Sequence, residues 1–172
     1  GTTVHRYGSD EIVYKHIISL GSCDPIPGVV VESCETEEEV LMGWKDFIAR
    51  LDPDILLGYN IFGFDMEYIW QRALELDCID EFSMGLGRIY ARRVWLDEQK
   101  LASSALGSNF LKFISLDGVV LIDMYKVIQR DQKLDSYKLD SVASLFLGDH
   151  KNDLKPHEIF EKFKGDAADR AE

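Results

Sequence analysis

The chain has 172 residues, 46% of them hydrophobic and 29% charged, which suits one soluble globular domain with a core of its own. Acidic side chains outnumber basic ones 31 to 19, for a net charge of −12. That balance argues against autonomous tight binding to nucleic-acid phosphates, though not against a nucleic-acid substrate held by another domain. No apolar run approaches a membrane span and the first residues do not read as a signal peptide, so no membrane partner is expected and export has no support.

In chain order, residues 1–10 are polar and carry no recognisable motif. Ile12–Leu20 mixes β-branched and aromatic residues with polar ones, as a half-buried strand does. His16 on that strand lacks a second ligand and reads as a satisfied or exposed histidine. Residues 21–28, with Pro25 and Pro27, form a loop, and 29–31 make a short strand expected to run antiparallel to the first. Residues 36–51 are the clearest helix. Thr36 and Glu39 have capping-box spacing, Glu37 and Glu38 suit the first turn, and Val40, Leu41, Trp44, Phe47, Ile48 and Leu51 form the apolar stripe. Cys23, Cys34 and Cys78 are scattered without metal-ligand spacing and read as reduced thiols.

Asp52-Pro53-Asp54 is a turn, and Ile55-Leu56-Leu57 reads as a strand buried on both faces. Gly58-Tyr59-Asn60 closes it, residues 60–63 make a tight connection, and Tyr68, Ile69, Arg72, Ala73 and Leu76 recur at helical spacing from Phe64 onward. Asp65 therefore falls at a helix N-terminus just beyond the C-terminal end of a strand, the edge where α/β proteins build sites. Position alone favours a capping role for it.

Residues 77–109 read as irregular. They carry Arg88, Arg92 and Arg93 with Tyr90 and Trp95 between them, either a single-strand path or, the preferred reading, surface residues of a long loop. Leu116-Asp117-Gly118 between the apolar runs 110–114 and 119–123 signals a hairpin. Asp123 ends the second run, at a strand end from which an acid can reach a site. Short helices are expected over 125–131, from Ser136 to a stop at Gly148, and over Pro156–Lys164, before a small polar tail.

The run DPDILLGYNIFGFDMEYIWQRA resembles the second exonuclease motif of B-family DNA polymerases, whose core is N-x-x-(G/x)-F/Y-D. Here that core is Asn60, Ile61, Phe62, Gly63, Phe64 and Asp65, and SYKLDSVASLFLG is also similar to delta-type and large-DNA-virus members. The resemblance runs from about Ile12 onward and is densest over 51–76 and 110–150. It implies a ribonuclease-H-like α/β fold, a mixed sheet with flanking helices, and 3′→5′ proofreading beside a polymerase domain. In that family two divalent ions, Mg²⁺ or Mn²⁺, about 3.5–4 Å apart, serve the hydrolysis and are held by carboxylates.

The family draws its acids from a D-x-E, from the second motif and from a late Y-x-x-x-D. The resemblance thus assigns Asp65 as a metal ligand, Asn60 and Phe64 as positioning the 3′-terminal nucleotide, and Tyr59 as a weaker substrate contact. It does not make Asp123 a metal ligand and so implies a structural or supporting acid there. Only the second motif stands here. Tyr137 and Asp140 are one residue too close for the third, so residues 1–172 are expected to be part of an exonuclease domain, cut at both ends and inactive alone. The implied partners are the single-stranded 3′ end of a DNA primer, the remaining polymerase domains of the same chain and, as an open option, a processivity factor. The implied location is intracellular, the nucleus or a viral replication site. Two rivals are a polymerase scaffold domain that has lost catalysis and a non-enzymatic acidic interaction domain.

Overall fold

A computed structural model describes residues 1–9, 11–103, 107–148 and 155–172. In chain order the elements are β1 (Thr2–His5), β2 (Ile12–Leu20), β3 (Val30–Cys34), α1 (Glu37–Leu51), β4 (Ile55–Gly58), α2 (Asp65–Glu75), α3 (Ile79–Ser83), β5 (Leu96–Ser103), β6 (Gly107–Ile114), β7 (Val120–Asp123), α4 (Met124–Asp131), α5 (Leu139–Leu147), α6 (Pro156–Lys164) and α7 (Ala167–Ala171). The class is mixed α/β, and the chain divides into two compact units, Gly1–Trp44 with Asp153–Glu172, and Lys45–Asn152.

The first unit contains a three-stranded sheet ordered β1-β2-β3. β1 pairs antiparallel with β2, so the opening residues do contribute a strand although no motif announced it. β3 lies parallel to β2, with His16 opposite Val30 and Leu20 opposite Cys34, which corrects the antiparallel expectation. The physical reason is loop length: nine residues at about 3.3 Å each can carry the chain back along a five-residue strand. Two prolines also disfavour a tight hairpin. The loop is tied to the C-terminal helices, because Asp24 N–H donates to the Ala167 carbonyl at 2.9 Å and Arg170 donates to the carbonyl and hydroxyl of Ser22. His16 is buried and faces Glu32 at 3.3 Å, the satisfied histidine expected.

The capping box of α1 forms as its spacing predicts. Glu39 N–H donates to Thr36 Oγ1 at 3.2 Å, and Glu39 Oε2 accepts from the N–H of Thr36 at 3.2 Å and of Glu35 at 2.7 Å. The tail expected to be merely polar makes the short helix α7, because Asp166 caps the N–H groups of Ala168 and Asp169.

In the second unit β4 and β7 pair in parallel and β5 and β6 form an antiparallel hairpin. The Asp117-Gly118 turn therefore does not join a hairpin: its two arms pair with different strands. Gly118 adopts φ +83° there, the left-handed conformation that made the sequence look like a hairpin turn. Residues 77–109, read as irregular, contain α3 and β5 and the start of β6; residues 104–106 of that stretch lie outside the described residues. The core gathers Phe47, Ile48, Met66, Ala73, Phe82, Leu86, Val94, Leu111, Ile114 and Leu116.

One expectation about burial is corrected. β4 is not buried on both faces: Ile55 is 43% and Leu57 60% exposed, because among the described residues β7 is its only strand partner and no element covers that face. α5 starts at Leu139 rather than Ser136 and ends, as expected, at Gly148 in the left-handed region, but only Val142 of its apolar face is buried while Leu139, Phe146 and Leu147 are exposed. No described helix is long and apolar enough to cross a membrane.

Candidate active site

The site is a strand–turn–helix built on β4 and α2. Gly58 ends β4, and a Cβ there would stand 2.5 Å from Ile61 Cγ2, so only glycine lets the chain turn back this sharply. Asn60 takes the left-handed conformation, φ +62°, which asparagine tolerates better than most residues. Its carbonyl accepts from Gly63 N–H at 3.0 Å, and its side-chain oxygen occupies the space that a Cβ on Gly63 would need. Met66 N–H then donates to the Ile61 carbonyl at 3.0 Å, joining the first turn of α2 to the connection before it. Met66 and Ala73 anchor the helix in the core, which turns Asp65 outward.

Asp65 is the first residue of α2, and the helix has no side-chain cap. The capping role that position alone favoured is thus not the one observed. Among the described residues no hydrogen bond or ion pair engages its carboxylate, which is exposed. Phe64 is 61% exposed and stacks on the exposed ring of Tyr68, centroids 5.6 Å apart and planes 12° from parallel. Asn60 is exposed too. A free acid, an amide and an aromatic face are therefore offered within six residues of one turn.

Tyr59 is placed differently. Its hydroxyl donates to the Tyr137 carbonyl, its ring meets Tyr125 edge-on at 5.6 Å, and burial, then Tyr125 and Asp123, push its phenol above the ordinary range. Tyr137 is committed as well: its hydroxyl donates to the Gln132 carbonyl at 2.9 Å and accepts from Leu134 N–H at 3.2 Å. Asp140 lies in the first turn of α5.

The turn is gripped from two sides. On one, Lys112 N–H of β6 donates to the Phe62 carbonyl at 3.1 Å, the rings of Phe62 and Phe113 lie 5.4 Å apart, and Lys112 Nζ reaches Glu67 at 2.5 Å. On the other stands Asp123, 2% exposed, whose carboxylate accepts from the backbone of Asn60, Phe62 and Tyr125. The sequence marked Asp123 as a supporting acid without revealing what it supports; the parallel pairing that sets Asp123 beside Gly58 was the missing piece.

Arg88, Arg92 and Arg93, for which surface positions are the preferred reading over a single-strand path, each meet a carboxylate. Arg88 pairs with Asp52 and Asp54, Arg92 with Asp117 at 3.1 Å, and Arg93 with Asp80. Arg92 also lies over Trp95, 5.4 Å from the ring centroid. These are ties between surface segments rather than a row of uncommitted cations.

The donor chemistry of Asp65 fits one contact to a hard divalent cation, since an exposed carboxylate supplies the oxygen such ions prefer. Among the described residues no group of three His, Cys, Asp or Glu gathers, so Asp65 is a single ligand and not a cage.

This is a mixed α/β unit with an uncommitted acid on the first residue of the helix that follows a parallel strand, and comparison with known proteins gives the chain a family. The family described as "DNA polymerase family B, exonuclease domain" matches residues 2–142. The chain is 50% identical over 147 residues to a DNA polymerase of Pyramimonas orientalis virus, covering 86% of this chain and 12% of that protein. It is 43% identical over 163 residues to the DNA polymerase delta catalytic subunit of Glycine max, covering 95% and 15%. To a DNA polymerase of Paramecium bursaria Chlorella virus NY2A it is 33% identical over 177 residues, covering 99% and 19%. The chain belongs to the B-family DNA polymerase exonuclease-domain family, and it spans between 12% and 19% of the length of these relatives.

Proposed function

We propose that residues 1–172 are part of the proofreading exonuclease domain of a replicative B-family DNA polymerase, with a ribonuclease-H-like fold, acting on the single-stranded 3′ end of a primer. The observation that carries this reading is Asp65: an exposed carboxylate without a partner among the described residues, on a turn whose sequence resembles the family's second exonuclease motif. Two divalent ions, Mg²⁺ or Mn²⁺, supply in such a site an activated water near neutral pH and compensation for charge on the attacking and leaving oxygens.

The residues of this chain do the rest. Asp65 offers a hard oxygen ligand. Asn60, fixed by its own backbone, offers a carboxamide to the terminal nucleotide, and Phe64 offers a ring against which a base or sugar packs. Tyr59 contributes through the carbonyl of Tyr137 and the shape of the wall behind the turn. The partners are the 3′ end of DNA, the other domains of the same polymerase and a processivity factor; the location is the nucleus or a viral replication site.

The test is Asp65→Ala in the full-length polymerase, assayed on a primer with a mismatched 3′ end. Proofreading should fall to background while polymerisation on a matched primer is unchanged. Undiminished excision would leave Asp65 as a surface acid and overturn this assignment of the site.

A further inference from the structure

We propose that Asp123 is a positioning residue of this site: its buried carboxylate holds the 60–62 turn in the shape that presents Asn60 and Asp65 together. The inference rests on the exonuclease reading. Asp123 touches no substrate, and its effect travels through backbone.

The parallel register of β4 and β7 places Asp123 opposite Gly58, two residues before the turn begins. Its Oδ1 accepts from Asn60 N–H at 2.8 Å and from Tyr125 N–H at 3.0 Å, and its Oδ2 accepts from Phe62 N–H at 3.1 Å. A residue serving only as the N-cap of α4 needs the Tyr125 bond alone. The other two bonds cross 63 and 61 residues of sequence to alternate amides of one turn. That turn is intrinsically unfavourable, since Asn60 sits at φ +62°, and it is joined to α2 by the bond from Met66 to Ile61. An acceptor at each of two alternate N–H groups fixes the 59–60 and 61–62 peptide planes, and with them the approach to the helix that begins at Asp65.

Aspartate meets this demand where asparagine cannot. A carboxylate accepts at both oxygens, whereas a carboxamide has one accepting end and one donating end. In either orientation Asp123→Asn sets its NH₂ against at least one backbone N–H of the turn. Small displacements of a reacting group are costly, with about 1 Å worth about 100-fold in rate.

The experiment compares Asp123→Asn, Asp123→Glu and Asp65→Ala in the full-length polymerase, measuring excision of a mismatched 3′ nucleotide, polymerisation, and amide exchange in peptides covering 58–66. Asp123→Asn should lower the kcat of excision by about 10- to 100-fold, with KM within about twofold, and speed exchange in that peptide. Polymerisation should stay at the parent rate. Asp123→Glu, which keeps two accepting oxygens, should recover part of both the rate and the protection. Excision within about twofold of the parent in Asp123→Asn, while Asp65→Ala abolishes it, overturns the proposal and leaves the function standing. A parallel loss of excision, polymerisation and melting temperature in Asp123→Asn, with no recovery by glutamate, makes the residue merely structural and also overturns it. Undiminished excision by Asp65→Ala overturns both readings at once.

Discussion

Arg88 and Asp52 meet across 36 residues of sequence, Nε donating to Oδ1 at 2.5 Å while a second guanidinium nitrogen donates to the Asp52 carbonyl at 2.7 Å. The same side chain reaches Asp54 Oδ1 at 2.9 Å and the Gly118 carbonyl at 3.0 Å, so one fork ties the turn before β4 to the turn before β7. Asp52 is held at φ +48° in the process. A lysine has no fork with which to repeat this geometry. Arg88→Lys should therefore lower the melting midpoint by a few degrees, and Gly118→Ala should do the same, because its Cβ would lie 3.1 Å from Arg88 and its backbone has φ +83°. Differential scanning fluorimetry decides it; melting of Arg88→Lys with the parent would show that the fork contributes nothing.

Asn60 allows strain and ligand contact to be separated. Asn60→Ala should destabilise by about 1 kcal/mol, since alanine tolerates the left-handed region less well than asparagine. Asn60→Gly should remain as stable as the parent yet lose the carboxamide. If that carboxamide binds the terminal nucleotide, the glycine variant of the full-length polymerase excises poorly although it melts normally. Normal excision by Asn60→Gly would confine the role of Asn60 to the turn.

The phenol of Tyr59 gives a pH dependence with a definite sign. Its pKa is raised in the folded chain, with burial the main cause, so the folded state favours the neutral form. The stability it contributes is whole below about pH 10, the unfolded value, and is lost as pH rises through the higher folded value. Tyr59→Phe removes both the ionisation and the hydrogen bond to Tyr137. It should cost about 1 kcal/mol at neutral pH and flatten the fall in stability above about pH 10. Urea titrations at neutral and alkaline pH would reveal an unchanged slope if the reasoning is wrong.

Thr36→Ala removes the acceptor for Glu39 N–H and should cost about 1 kcal/mol in urea unfolding. Thr36→Ser keeps the oxygen and should restore most of it.

The chain alone, given Mg²⁺ or Mn²⁺, should leave a single-stranded oligonucleotide intact. Asp65 is one ligand where two ions require several, and a net charge of −12 repels the strand. Stepwise shortening from the 3′ end, abolished by Asp65→Ala, would contradict this.

Local chemistry was readable from the sequence and long-range pairing was not. The capping box at Thr36, the stop at Gly148 and the helix after Phe64 rest on residues a few positions apart, and each formed where its spacing put it. The direction of β3, the separate partners of the two arms around Gly118, and the open faces of Ile55 and Leu57 depend on which strands meet. Nothing local to those residues encodes it. The site shows the same division. Asp65 and Phe64 could be singled out from one motif, whereas the hold of Asp123 on Asn60 needed the register of β4 with β7, and the stacking of Tyr68 on Phe64 needed the helix phase.

The 63 residues between Asn60 and Asp123 also have a meaning in time. At about 5–20 residues per second of synthesis, Asn60 is added to the chain about 3–13 s before the acid that fixes its turn. During that interval β4 has no parallel neighbour, and the backbone N–H and C=O groups of Ile55–Gly58 lack the ladder that β7 later supplies. Slow codons or a pause between these positions would prolong the exposure of this stretch. The burden of such a delay would appear as aggregation of nascent chains, not as a defect in the finished chain.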